Sequence, residues 1–308
     1  MGFFYEGLNL LSFTGWIVLT ASLLLLNEAS RRIKWLSIFL YGLLPILLAL
    51  GVFKGVLGSP SGKSWFGWVK VISALAGVWG FMLIRFTSLG QKKFASIYPV
   101  AILSINIAEA VFREFEVFAT YKSLTVDSGG ITIWGGPWNI LNGIAGILCI
   151  LTLTGFSGIR VSKDKSRDMI WPDMTWMYIV GYTLWNFAYV YNCISTRSMY
   201  AGVTILLAAI IAEYGFKRGA WLQHRAQTLS LFAMFTLSVD FQQSAYFQIY
   251  PTYNPSLLLG LSALAFLFNA GVFAYMLYTI KRHKKNPIKQ EIYTHTYAYQ
   301  KTLTANNL

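Results

Sequence analysis

The chain has 308 residues, of which 56% are hydrophobic and only 12% charged, with a net charge of +13. A soluble protein carries about twice that charged fraction, so a soluble enzyme is excluded. The positive charge does not indicate a nucleic-acid partner, because the Lys and Arg residues gather in short loops between apolar runs, the topogenic pattern of a membrane protein.

Taken in order, the apolar runs predict about nine transmembrane helices. The first covers about 8–26 and stops at Asn27, Glu28 and the basic cluster Arg31, Arg32, Lys34. No Lys or Arg precedes Arg31, so this run lacks the basic start of a signal peptide and is read as a retained span. The second covers about 35–57, with a kink expected at Pro45, and a Gly/Pro-rich turn follows at 58–64. The third and fourth cover about 66–86 and 95–121.

The long loop after the fourth run alternates Leu124, Val126, Ile131 and Ile133 with polar residues around Asp127-Ser128-Gly129-Gly130, the pattern of a short β-hairpin that could serve as a lid. A two-stranded hairpin is marginal in water and has to pack on something. Further spans are expected at about 138–156, 169–194, 200–216, 226–250 and 257–280. Residues 1–280 thus read as one all-α transmembrane bundle. Residues 281–308 form a polar, basic, poorly ordered tail.

The basic loops follow the first, third, fifth, seventh and ninth spans. The opposite loops hold only Lys54, Lys63, Lys122 and Arg197. This asymmetry places the N-terminus outside and the C-terminus in the cytoplasm of a cell membrane. Cys149 and Cys193 fall towards opposite sides, so no disulfide is expected.

The fourth span carries INIAEAVFREFE, in which Asn106, Glu109, Arg113 and Glu116 share one helical stripe while Glu114 points elsewhere. Charges at membrane depth are costly and by default mark a function. Asn139 and Asn142 stand one turn apart on the fifth span. Trp185, Asn186 and Tyr189 lie on the sixth, and Asp240 and Gln243 on the eighth. A rise of about 1.5 Å per residue puts Asn106 near mid-membrane, Glu109 and Arg113 in the outer half and Glu116 near the outer surface, and the polar groups of the other spans overlap this range. The bland alternative is structural: Glu109–Arg113 and Arg113–Glu116 can neutralise one another, and asparagines commonly bond between helices. Trp134, Trp138, Trp185 and Tyr189 fit interfacial or packing roles as well as ligand walls.

Other chemistry is missing. The three histidines fall on the cytoplasmic side, and no HExxH, Walker loop or His/Cys cluster lies within a span, so no metal or cofactor is expected. The leading expectation is a carrier of a small polar or cationic solute, coupled to protons or a monovalent cation. In it Glu109 and Asp240 bind the coupling ion, Arg113 holds a ligand carboxylate or tunes those acids, and Asn139, Asn142, Asn186 and Gln243 orient the solute. The alternatives are a ligand-binding receptor or sensor and an enzyme acting on a lipid-linked substrate. Membrane lipids and a small solute are the expected partners, with a homo-oligomer allowed.

Overall fold

In the computed structural model, residues 2–52, 59, 62 and 65–308 are described. The helices, in chain order, are α1 (Leu10–Arg32), α2 (Lys34–Gly51), α3 (Trp65–Phe86), α4 (Ile97–Thr120), α5 (Pro137–Leu151), α6 (Trp176–Cys193), α7 (Met199–Phe216), α8 (Trp221–Ser238), α9 (Pro255–His283) and α10 (Tyr297–Ala305). Among the described residues, six helices are long and apolar enough to cross a membrane: α1, α2, α3, α4 with its 3-10 lead-in, α7 and α9. Leu10, Val18, Leu25, Trp35, Leu50, Phe112 and Leu267 stand exposed on them, an outer surface suited to lipid rather than water. Helix α5 is shorter, and α6 and α8 are buried by the others. The end of the second predicted span at 53–57, Lys54, Lys63 and most of the turn at 58–64 lie outside the described residues.

Local chemistry sets the helix ends and bends. Asn9 caps α1 by accepting from the Leu11 and Ser12 amides at 3.0 Å each, while Ser12 Oγ accepts from the Asn9 amide. The helix runs on past Asn27 and Glu28 because Glu28 pairs with both Arg31 and Arg32. In α2 a π turn at Phe39–Leu43 precedes Pro45. Proline cannot donate to the carbonyl four residues back. Here the Trp79 indole N–H of α3 fills that position on the Tyr41 carbonyl.

Two apolar cores form. One joins α4, α5, α6 and the inner part of α9, through residues such as Ile107, Ala145, Trp185 and Ala265. The other joins α1, α2 and α7 through Leu23, Tyr41, Tyr200 and Ile205. The two interlock: α3 and α8 give Phe81 and Trp221 to the first and Leu75 and Phe232 to the second, Trp138 of α5, Tyr191 of α6 and Leu257 of α9 reach into the second, and Leu206 of α7 into the first. Close approach between α6 and α9 needs Gly181, where a Cβ would come within 2.6 Å of Asn269 Oδ1. Asn269 in turn donates to the Gly181 carbonyl at 2.9 Å.

Three short antiparallel strand pairs complete the fold. Strands β1 (Tyr5–Glu6) and β6 (Tyr250–Pro251) tie the N-terminus to the segment before α9. The expected hairpin is present as β2 (Thr125–Val126) and β3 (Thr132–Ile133), with Thr125 opposite Ile133. Asp127 Oδ1 accepts from the Gly129 and Ile131 amides, and Gly130 supplies the positive φ of 74° that the turn needs. The hairpin packs on the 195–197 turn: Thr132 N donates to Thr196 Oγ1 at 2.8 Å, and Ser195 Oγ donates to the Thr132 carbonyl. The third pair, β4 (Arg160–Val161) and β5 (Met169–Ile170), closes the loop after α5.

The C-terminal tail differs from expectation. It folds back on the bundle, with Ile292 and Tyr293 buried and their amides donating to Asp173 at 3.2 and 2.8 Å. Asn306 Nδ2 then reaches the Arg218 carbonyl at 2.8 Å. Asp173 and Glu213 are both buried. They are held by backbone amides, Glu213 by that of Gly219 at 2.6 Å.

Candidate functional site

A cavity of about 110 Å³ lies along the seam between the two cores. One wall is a single face of α8, formed by Arg225, Leu229, Phe232, Ala233, Thr236 and Leu237. At about 1.5 Å per residue, this face is roughly 18 Å long. Asn186, Tyr189, Val190 and Cys193 of α6 face it, with Ala201 and Ile205 of α7. Phe66 and Lys70 of α3 and Asn106 and Arg113 of α4 complete the sides, and Asp127, Gly129 and Ile131 of the hairpin roof one end.

Charges mark the ends of this slot. At the hairpin end, Arg113 donates to Glu116 at 2.9 Å and to Asp127 at 2.5 Å, so the hairpin is clamped to α4 by an ion pair. Arg197 lines the same end and donates to Gln242 Oε1 at 3.2 Å. Along the α3–α4 wall, Lys70 pairs with Glu109 at 3.1 Å and donates to the Asn106 carbonyl at 3.0 Å. Ser73 bridges the pair by donating to Glu109 and accepting from Asn106.

At the far end stands Arg225, 4% exposed, whose Nη2 donates to Asn186 Oδ1 at 3.1 Å. Its guanidinium lies 5.8 Å from the centre of the Tyr182 ring. Among the described residues no carboxylate pairs with Arg225, and its Nε and Nη1 find no acceptor.

A second polar centre sits beside the slot, inside the first core. The Glu114 carboxylate is fully buried and accepts from Asn139 Nδ2 at 2.5 Å, Asn142 Nδ2 at 2.6 Å, Asn192 Nδ2 at 3.4 Å and the Cys193 thiol at 3.2 Å. All four partners donate, which suits an acceptor-only carboxylate. Asn139 also accepts from the Gly136 amide at 2.8 Å, so one side chain both caps α5 and holds Glu114.

The residues singled out from the sequence therefore separate. Asn106, Arg113, Asn186 and Tyr189 line the slot. Glu109 and Glu116 act one step back, as the partners of Lys70 and Arg113. Asn139 and Asn142 serve Glu114, and Trp185 is packed in the core against Tyr182 and Tyr189. Asp240 and Gln243 do not line the slot: α8 ends at Ser238, and the two pair with each other at 2.9 Å in the turn beyond it, with Asp240 half-buried and Gln243 exposed.

Sequence reasoning missed Glu114 because it falls off the stripe of its neighbours, although that off-stripe position is what aims it at α5 and α6. It missed Arg225 because α8 begins at Trp221, before the apolar run. This first stretch includes Gln223, His224 and Gln227 and can be buried only because protein surrounds it. Lys70 stands in the third run with no spacing in the sequence that relates it to Glu109. Among the described residues no cluster of three or more His, Cys, Asp or Glu side chains could hold a metal.

These features define a polytopic helical protein of membrane type, with a charged slot among its helices. The chain belongs to a family of unknown function, DUF5692, whose profile matches residues 6–305. Neither a curated protein nor a solved structure matches it.

Proposed function

We propose that the protein is a carrier of a small solute in a cell membrane, with about nine spans, the N-terminus outside and the C-terminus in the cytoplasm. The observation that carries this reading is a slot among the helices lined by charged and polar side chains of α3, α4, α6 and α8. In many carriers the solute site lies between helices that rock against one another to give alternating access. The hairpin, clamped through Arg113 and the 195–197 turn and packed on the first core by Ile131 and Ile133, is the outer gate in this reading.

Glu114 takes the coupling role expected of Glu109 and Asp240. Glu109 is neutralised by Lys70 and Asp240 sits half-buried in the turn after α8, outside the slot, whereas Glu114 is a fully buried acid held by amides and a thiol. Purified protein in proteoliposomes, preloaded with carboxylates, polyols or amines, should show counterflow of one class. Absence of exchange for every class removes the carrier reading. Glu114→Gln should retain counterflow and lose accumulation driven by a proton gradient. Accumulation at the wild-type level would remove the coupling assignment.

A further inference from the structure

The slot's charges point away from the cationic solute that the sequence suggests. Its lining holds Lys70, Arg113, Arg197 and Arg225 against a single acid, Asp127. Glu109 and Glu116 stand behind the lining and neutralise Lys70 and one side of Arg113. Arg225 has no such counter-charge. An arginine keeps its charge in a protein, and a buried charge without a partner is among the most costly arrangements a fold can hold. Two of its nitrogens are buried and unpaired.

The fork of Arg225 is suited to a planar, two-oxygen acceptor. Next to it the wall turns apolar, with Leu229, Phe232, Ala233 and Ile205 leading towards the hairpin. The same guanidinium also borders a smaller hollow of about 30 Å³ shared with Ser73, Asn106 and Tyr182, so there is room on both sides of it.

We infer that the slot binds a small amphipathic monocarboxylate, its carboxylate on the unpaired N–H groups of Arg225 and its apolar body along Leu229, Phe232 and Ile205. A cation would meet an uncompensated positive end, and a polyol would leave the apolar wall without a partner. The inference rests on reading the slot as a solute site, but it does not require that the solute be carried across.

The test uses the full chain in detergent with three probes of equal chain length: hexanoate, hexanol and hexylammonium. Binding is read by calorimetry and by the rise in unfolding temperature that a native-state ligand produces. Hexanoate should bind and the other two should not. Arg225→Gln should weaken hexanoate by about tenfold or more, the loss expected when a hydrogen bond to a charged group goes, and Arg225→Lys should restore part of it. Equal binding of hexanol or hexylammonium to the wild type overturns the proposal, and this comparison needs no variant to fold. Unchanged hexanoate affinity in Arg225→Gln overturns it as well.

Proteoliposome flux separates the two readings. Hexanoate binding without counterflow leaves the carboxylate site standing and removes the carrier. Counterflow of amines or polyols without hexanoate binding does the reverse.

Discussion

Glu114 shows what a single buried acid requires. Its two oxygens take donors from three asparagines and a thiol, supplied by α5 and α6. Removing the carboxylate leaves those donors without an acceptor in a site that water does not reach. Glu114→Ala should therefore cost about 3–5 kcal/mol, in the range seen when one member of a buried charged network is deleted. Glu114→Gln should cost less, about 1–3 kcal/mol. Asn142 Oδ1 has no partner among the described residues, and a flip of that amide turns it towards the new glutamine NH2. Unfolding temperatures in detergent should rank wild type, Glu114→Gln, Glu114→Ala in falling order. A Glu114→Ala protein as stable as wild type would show that the network carries no load.

At the scale of elements, the β4–β5 loop is a clamp at the end of the bundle opposite the hairpin. Asp168 in this loop receives Arg31 at 2.6 Å and Arg85 at 3.5 Å, and Gln223 of α8 at 2.8 Å. Arg85 also donates to the Arg31 and Ser166 carbonyls. One loop carboxylate thereby joins α1, α3 and α8. Burial alone would push the Asp168 carboxyl up, but the Arg85 and Arg31 guanidiniums outweigh it and hold it below the usual carboxylate range.

A depressed folded-state value means that the stabilisation is full above the ordinary value of 3.8 and is lost as pH falls through the lower folded value. Acid unfolding of the wild type should steepen in that window. Asp168→Asn should remove this component and cost about 3–5 kcal/mol at neutral pH, since Arg85 is then buried without a counter-charge. An acid limb identical in the two proteins would contradict the clamp.

For the whole molecule, the orientation proposed from loop charge gives a direct test. A cysteine placed at Lys122 beside the hairpin should react with a membrane-impermeant maleimide on intact cells, and one at Lys165 should react only after permeabilisation. Cys149 and Cys193 are both buried and give little background. The opposite labelling pattern would invert the molecule and put the slot's hairpin end in the cytoplasm.

Sequence alone determined the features that depend on composition along the chain. Apolar runs of membrane length located the six described helices long and apolar enough to span a membrane, and alternation around Asp127-Ser128-Gly129-Gly130 located the hairpin. Both follow from periodicity, a local property of the chain. Asn106, Arg113, Asn186 and Tyr189 were found in the same way, as polar groups where apolar ones were due. Only the tertiary structure decided which charges meet. Lys70 and Glu109 are 39 positions apart and Arg31 and Asp168 137 apart, and no helical spacing relates such pairs. The start of α8 was hidden for a related reason. A helix enclosed by other helices need not be apolar, so its polar first turns, with Arg225 among them, carry no hydropathy signal until the neighbours that bury them are in place.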